Sequence, residues 1–312
     1  MNTLSRPLLR ILLTLLLVLA SASNSHAAKQ IGVILSGDIP YYRAMHETFV
    51  AELNKRFTGA EKIEIIVQKP FPDPISWSNA ARKLIAFDVD LIVSYGSPAT
   101  QAIIHEKSNI PILYVGMYEP EQAGITGKNM TGCGFKIPLS SIIRYFKHLK
   151  PINTLGVVFT SAEEDSVRQY KAMAAIAAQQ NIKIEKIDIG TFTDLSKLKT
   201  GNGDAFFITG SSLAHLWIKD ILSILKKRQI PTADIFPDDS DSGLLITLSH
   251  PPLLQGKMAA EIAAQILLNK KPDAIPPYTS RDTELVYNLV EAKSLGITIP
   301  IDQLIEANRV IK

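Results

Sequence analysis

The feature that most constrains the fold is a repeated alternation of short apolar runs with longer helical stretches. Residues 31–35 (IGVIL), 63–67, 91–94 and 112–115 are short runs rich in Ile, Val and Leu. Runs of that length suit buried strands. Between them lie helical segments, clearest at 41–57, where Met45, Phe49 and Leu53 fall on one face. Strands that are apolar throughout are covered on both faces, so four alternations in a row predict a parallel sheet with helices on each side. A glycine-rich stretch, 124–134, is expected to carry one short edge strand. The pattern then starts again at 155–159 (LGVVF), with a helix over 166–179 and a strand over 184–189. A short helix at 195–198, a strand at 205–208 (AFFI), a helix to about 227 and a short strand at 233–236 follow. Two successive units of similar plan predict two similar α/β lobes. The ending is less regular, with a strand at 243–248, an Ala-rich helix at 253–268, Pro276-Pro277, and a strand at 284–289. These late elements are expected to complete both sheets, so the chain crosses between lobes more than once.

A chain of 312 residues suits two domains of ordinary size. The net charge of +3, with no block of Lys or Arg, argues against a nucleic-acid partner. At the N-terminus, Arg6 and Arg10 precede an apolar run at 11–20 and small residues ending in Ser25-His26-Ala27. This charged, apolar, small-residue order predicts a signal peptide over 1–27, cleaved after Ala27. The single cysteine, Cys133, lies far from that site, which leaves no lipid-attachment cysteine, no disulfide and no Cys-based metal site. The expected product is a soluble monomer, periplasmic, and not lipid-anchored.

The segment 90–104 (DLIVSYGSPATQAII) focuses the functional question. It predicts a buried strand, a tight turn, and a helix with Ser97 at its N-cap and Pro98 at N1. The free N–H groups of such a helix start point out of the carboxyl edge of the sheet, where open α/β folds bind ligands. The plain alternative is a well-capped helix with only a structural job. No GxSxG elbow, HExxH, P-loop or GxGxxG occurs, so no catalytic residues are assigned and no cofactor is expected. The acidic run DDSDS at 238–242 lacks the spaced ligands and closing Glu of an EF-hand, and no metal is expected there.

Several passages carry a resemblance. They are Ile110-Pro111-Ile112-Leu113 through Glu119-Pro120, Asn129-Met130-Thr131-Gly132, LGVVFTSAEEDSV at 155–167, and the C-terminal runs ILLNKKPDAIP, LVYNLVEAKSLGITIP and ANRVI. In this the chain resembles the substrate-binding proteins of ABC transporters, of the kind that includes tryptophan- and tyrosine-binding members. The resemblance implies the type I periplasmic binding fold: two Rossmann-like lobes, three hinge crossings and a ligand cleft. Lobe 1 is then expected over 28–137 plus 244–273, and lobe 2 over 138–243 plus 274–312. It also implies capture of a small, amino-acid-like ligand and delivery to an ABC transporter permease. A ligand sensor coupled to a membrane receptor and an exported hydrolase are the alternatives.

In that architecture the carboxyl ends of the strands line the cleft. The candidate ligand-binding residues are therefore Asp38, Tyr41, Tyr95, Ser97, Pro98, Tyr118 and Glu119 from lobe 1. From lobe 2 they are Ser161, Ser166, Thr209, Ser211, Ser212, Asp238 and Asp239. Ser97, Ser166 and Ser212, as helix caps, would present N–H groups to a carboxylate. Tyr41, Tyr95 and Tyr118 would flank a flat apolar portion, though Tyr42 and Tyr95 also suit an ordinary core. His250 is expected at the hinge or rim, and Trp217 in packing. Amino-acid-binding relatives commonly carry an Asp after the strand occupied here by AFFI, where this chain reads Thr209-Gly210-Ser211-Ser212. Either Asp38, Glu119, Asp238 or Asp239 receives a ligand ammonium instead, or the ligand is not an amino acid.

Overall fold

The computed structural model of the protein describes residues 28–58, 63–125, 127–237 and 243–312. The expected signal peptide at 1–27 lies outside the described residues, as do Asp238 and Asp239. The first βαβ unit runs from β1 (Lys29–Leu35) through α1 (Pro40–Arg56) to β2 (Ile63–Gln68). Helix α2 (Pro74–Ala86), strand β3 (Leu91–Tyr95), helix α3 (Ser97–His105) and strands β4 (Ile112–Tyr118) and β5 (Met130–Phe135) follow. Local chemistry sets these boundaries. Asp73 caps α2 by accepting from the Ile75 and Ser76 amides at 2.9 Å, and Pro74 occupies the first turn, where its missing N–H costs nothing.

The second unit opens with α4 (Leu139–Leu149), β6 (Thr154–Phe159), α5 (Glu164–Gln179) and β7 (Lys183–Asp188). It continues through α6 (Lys197–Thr200), β8 (Ala205–Ile208), α7 (Ser212–Leu216), α8 (Ile218–Lys227), β9 (Thr232–Asp234) and β10 (Ile246–Ser249). The chain closes with α9 (Pro252–Leu267), β11 (Tyr278–Ser280), β12 (Glu284–Asn288), α10 (Leu289–Ser294), α11 (Ile301–Glu306) and β13 (Arg309–Ile311).

One sheet has the order β11-β5-β4-β3-β1-β2 and the other β13-β12-β10-β9-β8-β6-β7. All pairings are parallel except β10 with β12. The order β2-β1-β3-β4-β5 in one sheet is repeated as β7-β6-β8-β9-β10 in the other, so the two lobes share one plan. In each, the order reverses beside the opening strand, which is where parallel α/β sheets leave a crevice at their carboxyl ends.

Two late elements exchange places relative to the expected division. Strand β10 was expected in the first lobe but is hydrogen-bonded between β9 and β12 in the second sheet. Strand β11 was expected in the second lobe but pairs with β5, Tyr278 opposite Cys133. It follows that β5 is not an edge strand, since it lies between β4 and β11. The lobes are joined where β5 leads into α4, where β10 leads into α9, and where β11 leads into β12. The cause is tertiary: a short apolar strand such as ITLS satisfies either sheet, and only the available partner edge decides.

Helix α9 returns to lobe 1 and packs along α1. A Cβ at Gly256 would sit 2.4 Å from the Met45 carbonyl oxygen and 2.7 Å from Thr48 Cβ, so only glycine permits this approach. Gln255, fully buried beside it, donates to the Gly134 carbonyl at 2.8 Å and accepts from the Gly116 amide at 3.2 Å.

Candidate functional site

The carboxyl edges of the two sheets face each other, and in this structure they are in contact. The loop after β1 touches the start of α7: a Cβ on Gly37 would lie 3.0 Å from Ser212 Cβ. The first turn of α5 lies against the β3–α3 turn and the end of β4. There Arg168 donates to the Tyr118 carbonyl at 3.0 Å, Gln101 bonds Glu164, and Asp165 faces Ser97. Between these contacts Phe236 of lobe 2 stacks on Tyr41 of lobe 1, with ring centroids 4.3 Å apart and planes 22° from parallel. Tyr42 meets the same ring edge-on at 5.8 Å. Tyr41 also donates to the His250 carbonyl at 3.3 Å.

The seam contains two buried carboxyl groups that were not among the expected site residues. Glu163, at the N-cap of α5, accepts from Ser211 Oγ, the Ser212 amide and the Leu213 amide, each at 2.8 Å. Burial pushes its carboxyl pKa up, and those three donors, with His215, oppose the shift. Asp165 is pushed up to about 6 by burial, against the opposing pull of the Arg168 guanidinium and the Ser97 hydroxyl. Next to them, His215 donates through Nδ1 to the Ser211 carbonyl at 2.6 Å and bonds Asp234 through Nε2 at 2.9 Å. Burial alone would lower this imidazole, but Asp234, the Ser211 carbonyl and Glu163 raise it overall. Glu163 thus places a carboxylate against Ser211 and Ser212, reaching them from the neighbouring loop.

The expected residues divide sharply. Tyr41, Ser97, Tyr118, Ser211 and Ser212 are buried at the seam, and Pro98 lines its mouth. Ser166 and Thr209 are buried behind it, sharing a hydrogen bond of 2.7 Å that ties α5 to the end of β8. Tyr95 is a correction: its hydroxyl meets His46 Nδ1 on α1 at 3.3 Å, inside the core of lobe 1. Successive strand residues point to opposite faces, and position 95 shares the α1 face with Val93. Asp38 is another, held at the solvent rim by Lys69 at 3.2 Å and Arg43 at 3.4 Å. Glu119 turns away from the seam and pairs with Lys136 at 2.9 Å, its backbone at φ +45°. Ser161 is exposed, its amide bonded to Asp188.

The capping roles also differ. The N-cap of α3 is Gly96, at φ +85°, where a Cβ would fall 2.3 Å from the Tyr42 hydroxyl. Ser36, from the loop after β1, accepts from the Ala99 amide at 3.0 Å and satisfies that helix start. Ser211, not Ser212, caps α7 by accepting from the Ala214 amide. Ser166 lies within α5, accepting from the Thr160 amide at 2.9 Å. At the mouth of the seam lies a cavity of about 260 Å³, lined by Trp77, Ser97, Pro98, Gln101 and His105 of lobe 1 and by Ala162 and Glu164 of lobe 2. Trp77 is itself buried and donates its indole N–H to the Ser36 carbonyl at 2.8 Å.

Two hinged α/β lobes of equal plan, with polar and aromatic side chains buried where their carboxyl edges meet, define the class of proteins that enclose a solute between lobes. The family model described as ABC transporter substrate binding protein matches residues 60–311, and the chain belongs to that family. A tyrosine-binding protein from Clostridioides difficile (strain R20291) is 22% identical over 286 residues, 88% of this chain and 83% of the relative. Among solved structures, an ABC domain from Streptococcus pneumonia in complex with L-Trp gives a TM-score of 0.85 at 21% identity, covering 91% of this chain and all of that one. The ligand-free, open structure of a substrate-binding protein with adhesive properties from Clostridium difficile gives 0.63 at 25% identity, covering 91% of this chain and 99% of that one.

Proposed function

We propose that this protein is an extracytoplasmic binder that captures an amino-acid-like ligand, aromatic by preference, and delivers it to an ABC importer without chemical turnover. The observation that carries the reading is the seam itself. Tyr41, Tyr42, Trp77, Phe236, Ser97, Glu163 and Asp165 are all buried where the two carboxyl edges meet. Aromatic faces suit a flat apolar body, and buried acids suit an ammonium group. The lobe arrangement supports it too: the chain overlaps better with the L-Trp complex than with the ligand-free, open structure, although the latter is the more identical in sequence. A rotation between lobes lowers overlap in this way even where each lobe matches. The acid-and-tyrosine seam replaces Tyr95, Asp38 and Glu119 as the proposed site, with Tyr41, Ser97, Tyr118, Ser211 and Ser212 retained. Export through the 1–27 segment, a periplasmic location without a lipid anchor, and action as a monomer complete the reading. Among the described residues no helix is long and apolar enough to cross a membrane.

The test is a thermal-shift series on the chain from Ala28 with L-tryptophan, L-tyrosine and L-phenylalanine. A ligand that binds only the folded state raises the melting temperature in proportion to RT ln(1 + [L]/Kd). Stabilisation by at least one, with the compound recovered intact, is the expected result. Stabilisation by none of the three overturns the aromatic amino-acid reading, and consumption of the stabilising compound overturns the binder.

A further inference from the structure

We infer that the ligand's carboxylate is received by Arg168 and Gln169 of α5, and not by the helix N-termini that the sequence offers for that job. This rests on the amino-acid reading above and says which groups of this chain recognise the acid end. Amides at two of those helix starts are already engaged. The Ala99 amide of α3 donates to Ser36, and the Ser212 and Leu213 amides donate to Glu163.

Two donors on α5 are not engaged. Arg168 Nε and Gln169 Nε2 are buried and have no hydrogen-bond partner among the described residues. Gln169 has no exposed surface at all. Each is held in place by its other atoms. Gln169 Oε1 accepts from the Gly210 amide at 2.7 Å, which leaves only its NH₂ group to serve a ligand. Arg168 Nη2 donates to both the Tyr118 carbonyl and the Asp165 carboxylate and Nη1 lies 3.8 Å from the Glu164 carboxylate, while the buried Nε–H has no partner among the described residues. A buried donor without an acceptor is costly, so folded proteins keep such groups where something arrives to satisfy them.

The surroundings fit the remainder of an aromatic amino acid. Following contacts from Arg168, its Tyr118 partner packs against Phe135 at 5.8 Å, and Phe135 meets Tyr41 edge-on at 6.3 Å. Tyr41 stacks on Phe236, whose ring lies within 2.8 Å of where a Cβ on Gly210 would be, and Gly210 returns to Gln169. The two free donors are thus linked, contact by contact, to a cluster of aromatic rings drawn from both lobes. Asp165 is the counter-ion of Arg168, so this pair offers one charge of each sign at the seam. A zwitterion matches that pair with its ammonium on Asp165 and its carboxylate on Arg168 and Gln169, and so brings no net charge into the seam. A bare amine or a bare acid leaves one of the pair unmatched.

Isothermal titration of the chain from Ala28 with L-tryptophan and with L-tryptophanamide, which keeps the ammonium and removes the carboxylate charge, tests the assignment. The wild type is expected to bind L-tryptophan at least tenfold more tightly than the amide. Gln169→Glu keeps the acceptor for Gly210 but replaces the free donor by an oxygen. It is expected to weaken L-tryptophan by tenfold or more while changing the amide by less than threefold. Arg168→Lys, which keeps the charge and removes Nε–H, is expected to act in the same direction. Circular dichroism and melting temperature establish that each variant is folded. Should Gln169→Glu fail to fold, the wild-type preference for the acid over the amide decides. Equal wild-type affinity for acid and amide, or equal loss of both ligands in the folded variants, overturns the inference. Absence of any L-tryptophan, L-tyrosine or L-phenylalanine binding by the wild type refutes instead the function on which it rests.

Discussion

Phe236 is the side chain on which lobe closure can be tested most directly. It belongs to lobe 2 and packs on His215 of the same lobe at 4.9 Å, yet two of its ring partners, Tyr41 at 4.3 Å and Tyr42 at 5.8 Å, belong to lobe 1. Truncation to alanine therefore removes contacts that the closed arrangement has and an opened one lacks. A full Phe→Ala replacement in a core costs about 3–5 kcal/mol, but most of that falls equally on both arrangements and cancels. What remains is the two cross-lobe aromatic pairs, each worth about 0.5–1.5 kcal/mol beyond area burial, hence about 1–3 kcal/mol against closure. At 1.4 kcal/mol per factor of ten, the closed fraction falls by roughly 5- to 150-fold relative to the open one. If ligand is held only when the lobes are closed, apparent affinity falls with the closed fraction, by at most that factor. Small-angle scattering of Phe236→Ala without ligand should give a larger radius of gyration than the wild type, and titration should give a correspondingly weaker Kd. An unchanged radius together with an unchanged Kd, in a variant that is folded, would show that Phe236 does not hold the lobes together.

Other consequences can be checked independently. Glu163→Ala leaves the buried amides of Ser212 and Leu213 without an acceptor, at about 1–3 kcal/mol each. Chemical denaturation should show a loss of about 2–6 kcal/mol, and a loss below about 1 kcal/mol would mean that the carboxylate is dispensable. Asp165 carries a folded pKa raised to about 6, so its share of ligand-free stability is present at low pH and is lost as pH rises through about 6. Affinity for a ligand ammonium runs the other way. It should fall by up to tenfold per pH unit below about 6, because the protonated acid offers no charge, and titrations at pH 7.5, 6 and 5 read this directly. Gly256→Val forces a side chain into the Met45 carbonyl and should lower stability by about 3 kcal/mol or more in thermal melts. A melting temperature equal to the wild type would show that α1 and α9 can separate freely.

Much of the architecture is legible in the sequence because each strand is a self-contained apolar run and each lobe repeats the same order. The assignment of β10 and β11 to sheets is not, since a short apolar strand does not declare its partner: Ile246 pairs with Ala233 and Tyr287, and Tyr278 finds Cys133, more than a hundred residues away, only in the folded chain. The site was readable to the level of the loop and not of the atom. Ser97 is at the seam as its turn implies, but the carboxyl edge says nothing about pleat, and Tyr95, two residues earlier, points into the α1 core. Glu163 and Asp165 sit in an acidic run, SAEED, that has the look of a solvated loop. One signal was available there. The two acids flank an exposed residue at the start of a helix, so a turn that sends Glu164 outward sends both neighbours in. Arg168 and Gln169 carried no signal, because an Arg-Gln pair in mid-helix is ordinary surface composition until Gly210 and Tyr118 are placed against it.

The exchange of late elements between lobes bears on the order in which the chain can assemble. An emerging N-terminal segment can pair β1 to β5, but the face of α1 that receives α9 stays uncovered until residue 267 has been made, and β5 lacks its outer neighbour until Ser280. The first lobe therefore has no complete, separately foldable precursor, and its core closes only after nearly all of the second lobe exists. A chain built this way cannot complete its first lobe until late in its synthesis. It also means that cutting the sequence between its two repeats leaves the first lobe without α9 and β11, while every strand of the second sheet stays on the C-terminal fragment.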